Sequence, residues 1–191
     1  MSELDGVSGM VKYWDRTGLW DRLYRRNVWE TLRLPEGRIC EDRAVFVQLH
    51  YGRRMVRVCE ELYFYRTRAS SVVHSKYSVR ILDWFWAQEE RIRELEKCTF
   101  AQRDMLLESE VKQYCRCLEI HYHRVLRELK LPCEAEQLKR KLKLTIHKYR
   151  KVFAFPWDEF TECYRLLYPV STKVYCYGKA AVGKLRKLLK L

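Results

Sequence analysis

The sequence predicts a mainly α-helical chain with a small mixed α/β segment towards its amino-terminal end. Three observations carry this expectation. The runs Met55–Cys59 and Leu62–Arg66 both precede residue 77, and period-2 alternation rich in Val and Tyr is the pattern of a strand. Beyond Ser78 the apolar residues Ile81, Leu82, Phe85, Ile92 and Leu95 recur at the spacing of one helix face. Pro132, Pro156 and Pro169 then divide the remainder, since an interior proline ends a helix. The expected organisation is a mixed segment over 1–77, a helical appendage over 78–170 and a basic amphipathic tail over 171–191.

In chain order, residues 1–18, with glycines at 6, 9 and 18, are expected to be weakly anchored. Leu19–Tyr24 alternates loosely and reads as a strand, with a helix as the open alternative. Arg26–Leu32 reads as a short helix. Leu34-Pro35-Glu36-Gly37 is a turn, because proline sets φ and glycine permits positive φ. Glu41–Gly52 is a helix closed by Gly52. Two short strands follow, Met55–Cys59 and Leu62–Arg66. Ser78 is the expected cap of a helix reaching Lys97. Thr99–Gln102 has the capping-box pattern for a helix continuing to Leu131. Further helices are expected over Glu134–Phe155 and Asp158–Tyr168.

Bulk properties narrow the function classes. A formal charge of +13, from 38 basic and 25 acidic residues, favours anionic partners such as acidic lipid headgroups, phosphorylated small molecules or nucleic acid. Hydrophobic residues make up 48%, enough for a packed core and against disorder. The start MSELDGVSGM has no apolar segment, so its eight cysteines are expected to be free thiols in a reducing cytoplasm. No apolar run approaches the roughly 20 residues that span a bilayer; any membrane contact is expected to be peripheral, on the inner face of the plasma membrane. There is no glycine-rich phosphate loop, no serine nucleophile elbow and no C-x-x-C pair.

Cys115, Cys117, His121 and His123 are zinc-ligand types. On a helix, however, each i,i+2 pair is about 200° apart, so no metal site is expected there. Trp84, Phe85 and Trp86 are read as core rather than as a sugar-stacking platform. The tail over 179–191 is either an interfacial helix lying on anionic lipid or a last helix packed on the body.

Glu41-Asp42, after a Pro/Gly turn and before the apolar run Ala44, Val45, Val47 and Leu49, can be read simply as an acidic helix start facing the positive end of the dipole. Its context adds a second reading. The ordered set Trp20 to Arg26, Leu34 to Gly37, Glu41-Asp42, Met55 to Cys59, Leu62 to Arg66 and Ala69-Ser70-Ser71 resembles the carboxy-terminal half of bacterial family-two glycosyltransferases. These are inverting, nucleotide-sugar-dependent enzymes of the GT-A fold. The likeness covers a little over a third of the chain.

The resemblance implies roles. Asp42 takes the place of the general base and Glu41 of a residue orienting it or the acceptor. An attacking hydroxyl must lose its proton, and a placed carboxylate is worth about 10²–10⁴-fold there. Arg38 and Arg43 flank the pair; a close arginine would lower the carboxylate pKa, and one turned away would face acceptor or phosphate, so Arg38 is a substrate-binding candidate. Arg66, Arg68, Ser70 and His74 are candidates for contacting the departing diphosphate, Arg by its bidentate fork; the alternative is a solvated loop.

Such enzymes bind donor and Mg²⁺ or Mn²⁺ through an amino-terminal half ending in a D-x-D motif. This sequence has no counterpart of that motif. The resemblance therefore implies the acceptor-side part of a GT-A-like fold, binding no metal by itself and inactive alone. Completed by a donor-binding half, it would transfer a sugar to a glycan or lipid-linked acceptor in cell-surface polysaccharide assembly. The competing expectation is a non-catalytic basic module for a membrane surface or nucleic acid. Nucleic acid is the less expected partner.

Overall fold

The computed structural model describes residues 2–66, 76–153 and 166–167. The chain divides into two units, Met1–Glu110 and Val111–Leu191, and the described residues are mainly helical.

In the first unit, β1 (Ser2–Leu4) pairs antiparallel with β2 (Met55–Arg57), Glu3 standing opposite Val56. Helix α1 (Gly6–Lys12) follows at once. The Asp5 carboxylate accepts the N–H groups of Val7 and Ser8, each at 3.0 Å, satisfying donors that a helix start leaves orphaned. Hydrogen bonds from Ser8 hold this carboxyl below its ordinary range. Met10 on α1 is wholly enclosed and Trp14 just beyond it is buried.

Residues 1–18, expected to be weakly anchored, thus supply a strand and a core helix. The reason lies in Gly6. A Cβ there would stand 1.9 Å from the carbonyl oxygen of Arg53 and 2.1 Å from that of His50. The missing side chain lets the start of α1 lie directly on the backbone that leaves the next long helix.

Leu19–Tyr24 forms neither strand nor helix. Leu19 and Tyr24 pack inward while Trp20 and Leu23 are exposed, an in–out order that follows no regular period. Helix α2 (Val28–Thr31) sets Val28 against Val45 and Leu49 of α3 (Glu41–His50). The turn before α3 has Gly37 at φ 75°, and Gly52 beyond its end has φ 72°, as the sequence predicts.

Leu62–Arg66, expected as a second strand, is not one. Leu62 is 73% and Phe64 87% exposed, and Tyr63 and Tyr65 on the other face are also exposed. Among the described residues no strand pairs with this run, and alternation without a ladder partner leaves both faces in water. Tyr65 meets the Trp20 ring at 5.7 Å between centroids.

Helix α4 (Ile81–Glu96) packs along α3, which ties it to the first unit. Ser78 contributes its carbonyl, accepting the Ile81 N–H at 3.1 Å, and no side chain caps this start. Helix α5 (Arg103–Arg124) begins later than a box at Thr99 would place it. The Thr99 backbone is taken by the Tyr51 hydroxyl, which accepts its N–H at 3.0 Å and donates to its carbonyl at 3.3 Å.

In the second unit α5 passes into a π-helical turn, Val125–Leu129. Lys130, in the left-handed conformation at φ 58°, ends it. Helix α6 (Pro132–Tyr149) opens on its proline, whose missing N–H costs nothing at a first position. It buries Ala135, Leu138, Leu142, Ile146 and Tyr149, and stops short of the expected Phe155. Of the helix expected over Asp158–Tyr168 only residues 166–167 are described, and these are helical; the tail over 171–191 lies outside the described residues. Among the described residues no helix is long and apolar enough to cross a membrane.

Candidate functional site

The loop entering α3 is fastened to the start of α4. Asp83, in the first turn of α4, pairs with Arg38 at 3.2 Å and accepts the Ile39 N–H at 3.3 Å. Arg38 also lies over the Trp86 ring, 4.5 Å from its centroid. The chain then passes through Cys40 at φ 63°, a conformation uncommon for a residue with a side chain, and enters α3 at Glu41. Burial, and next the Asp42 charge, push the Cys40 thiol up.

Asp42 is half-buried in that first turn. Its Oδ1 accepts the Arg43 N–H at 2.7 Å and its Oδ2 accepts the Thr17 hydroxyl at 3.3 Å. The Arg43 guanidinium turns away to α4, donating to Gln88 Oε1 at 2.9 Å and lying 5.6 Å from the Trp84 centroid. Both flanking arginines are therefore engaged on α4, and among the described residues no cation pairs with Asp42. Of the trio expected as core, only Phe85 is fully enclosed; Trp84 and Trp86 are half-buried and receive the two arginines on their rings.

Sequence reasoning missed the cluster beneath this segment. Gln88 and Arg91 of α4 and Glu110 of α5 are buried polar residues. Gln88 Nε2 and Trp14 Nε1 donate to the two carboxylate oxygens of Glu110. Arg91 pairs with Glu110 at 3.5 Å, donates to the Trp14 carbonyl oxygen at 2.6 Å, and stacks 3.9 Å from the Trp14 ring centroid. Burial pulls Arg91 down to about 10, against the pull of Glu110, so it stays charged at neutral pH. Its Nε and Nη1 have no hydrogen-bond partner, a desolvation cost that only the carboxylate and the two rings offset. One signal was available: the apolar stripe Phe85, Ile92, Leu95 has a gap that Gln88 fills.

The cluster reaches Asp42 from two sides. Through Gln88 it holds Arg43, and through Arg91 it holds Trp14, three residues before Thr17. His50, at the other end of α3, is also buried. It bonds the Phe46 carbonyl oxygen through Nδ1 at 2.7 Å and meets Arg22 at 3.2 Å through Nε2, a pattern that places the proton on Nδ1. Burial holds it down to about 4.

The remaining candidates are not gathered here. Glu41 is half-buried beside Asp42. Arg66 is exposed at the end of the aromatic run, and Arg68, Ser70 and His74 lie outside the described residues. Cys115, Cys117, His121 and His123 all sit within unbroken α5. Among the described residues no group of three or more His, Cys, Asp or Glu is placed to hold a metal ion. Comparison with protein-family models, with curated proteins and with solved structures finds no match to this chain.

Proposed function

We propose that this chain is the acceptor-side part of an inverting, GT-A-like glycosyltransferase, with Asp42 as its general base. The observation that carries the reading is the state of that carboxylate. It stands in the first turn of α3, aligned by Thr17 and the Arg43 N–H, while both neighbouring arginines are engaged on α4. A base needs a carboxylate held in place whose charge is not already shared with a cation.

In the reaction, an acceptor hydroxyl at Asp42 gives up its proton to the carboxylate as its oxygen bonds the sugar's anomeric carbon. The bond from that carbon to the diphosphate breaks on the opposite face, and the diphosphate leaves with the electron pair. Glu41 orients the acceptor. Arg66, Arg68, Ser70 and His74 are the residues proposed to meet acceptor or diphosphate, while Arg38, a candidate for the same role, is engaged with Asp83. The donor, and the Mg²⁺ or Mn²⁺ that full-length relatives use, come with a D-x-D half that these 191 residues do not contain.

The test joins the full chain to a D-x-D donor-binding half and measures transfer from nucleotide-sugars to lipid-linked glycan acceptors. Transfer is expected only in the joined protein, and Asp42→Asn should lower kcat by about 10²–10⁴-fold. Turnover of the Asn variant at the parent rate would remove Asp42 from the reaction.

A further inference from the structure

Helix α6 presents a second functional surface, independent of chemistry at Asp42. Its inward positions Ala135, Leu138, Leu142, Ile146 and Tyr149 are buried, which fixes the opposite side as outward. Arg140, Lys143 and His147 fall on that side at i, i+3 and i+7, and Arg150 and Lys151 continue it; all five are exposed. Lys139, Lys141 and Lys148 border it, and no Asp or Glu occurs between Gln137 and Phe153. Glu136, just before this run in the chain, is paired with Lys139 at 3.8 Å.

A solvated helix face ordinarily mixes signs, because i,i+4 pairs of opposite charge stabilise it and like charges oppose it. The carboxy-terminal dipole rewards cations only about the last turn, which accounts for His147, Lys148 and the capping Arg150 but not for Arg140 or Lys143. The surplus therefore points to a partner carrying many negative charges on one surface.

Two features select the partner. Leu144 is 59% and Val152 62% exposed among these cations. Apolar side chains set between basic ones are buried at the headgroup level of a bilayer but meet nothing along a phosphate backbone. Single-stranded nucleic acid would instead be gripped by several exposed stacking aromatics; among the described residues of this unit Tyr114, Tyr149 and Phe153 are buried and Tyr122 is half-buried beside Lys139.

We infer that the outward face of α6, with Arg140, Lys143, Arg150 and Lys151 around Leu144, docks the protein on an anionic lipid bilayer. Each basic residue at such a surface is worth roughly fivefold in partitioning, and the attraction fades with salt as the screening length shortens.

The experiment measures sedimentation of the full chain with vesicles of phosphatidylcholine and phosphatidylglycerol in equal parts, and with pure phosphatidylcholine. Binding is expected to the anionic vesicles alone. Reversing the face (Arg140→Glu, Lys143→Glu, Arg150→Glu, Lys151→Glu) should weaken it by at least about 100-fold, with circular dichroism unchanged. The milder pair Arg140→Gln and Lys143→Gln should cost about 25-fold, and Leu144→Ala with Val152→Ala a smaller amount. A chain lacking residues 179–191 should keep binding that depends on the α6 charges. Equal binding by the reversed and parent proteins in that shortened background overturns the inference. So does tighter binding to duplex or single-stranded DNA than to the vesicles at the same salt, lost with the same four charges.

Discussion

Arg91 donates to the carbonyl oxygen of Trp14 at 2.6 Å while its guanidinium lies 3.9 Å from the centroid of that residue's own indole. One side chain of α4 thus grips both backbone and ring of a residue 77 positions earlier. With Glu110 completing the cluster, the grip sets where the chain runs on to Thr17, and so where the hydroxyl that bonds Asp42 stands.

Arg91→Leu should be among the most damaging single changes. It leaves Glu110 as a buried carboxylate without its cation, a loss of about 3–5 kcal/mol. Urea unfolding of the variant and its parent measures the difference. The double variant Arg91→Leu with Glu110→Leu removes both charges and should recover part of that loss. A double variant less stable than the sum of the two single changes would show that the pair is not coupled in this way.

His50 makes stability depend on pH. Its folded value of about 4 lies below the ordinary 6.5, so in acid the unfolded chain takes up the proton first. The stability it contributes is complete above about pH 6.5 and drains away as pH falls towards 4, by on the order of 3 kcal/mol. Burial is the main cause, with the charges of Arg22 and Arg91 adding to it. Unfolding free energies between pH 4 and 7 should rise with pH, and His50→Gln should flatten the slope. An unchanged slope in the variant would assign the pH dependence to other groups.

Two glycines should respond to alanine for different reasons. At Gly6 the new methyl would stand 1.9 Å from a backbone oxygen, which no side-chain rotation relieves. The start of α1 must lift from the chain after α3, at a cost of about 1–3 kcal/mol or more. At Gly37 a methyl meets nothing within 4 Å, and only the positive φ is strained, at about 1–2 kcal/mol. Thermal melts rank the pair, and in the Gly6 variant the protection of the Ser2–Leu4 amides against hydrogen exchange should also fall. Equal losses without that change in exchange would mean the close approach is not what holds the amino-terminal segment.

Thr17→Val keeps the shape of the side chain and removes the hydroxyl that bonds Asp42 Oδ2. Stability should drop by about 1 kcal/mol. In the protein joined to a donor half, kcat should fall while KM for the acceptor stays, since Thr17 positions the base rather than binding substrate. Restoration by Thr17→Ser separates a lost hydrogen bond from a lost fit.

What the residues themselves determined is the local part of the fold. Periodicity, proline and glycine placed α3, α4, α6 and β2, because these signals act within a few residues of chain. The acidic start of α3 was legible in the same way, whereas Asp42 as a candidate base rested on the resemblance of its wider context and not on these local signals. Tertiary structure alone decided which polar residues are buried and which apolar ones are not. Nothing local distinguishes Arg91 or Glu110 from the exposed charges around them; each is buried because the other, with Trp14, meets it there. The converse holds for Leu62–Arg66, whose alternation is that of a strand while its aromatic side chains lie exposed. A strand is completed by its neighbour, and among the described residues that run has none. Residues 2–14 gave no sign of a core role, because the close approach at Gly6 is made to residues more than 40 positions away.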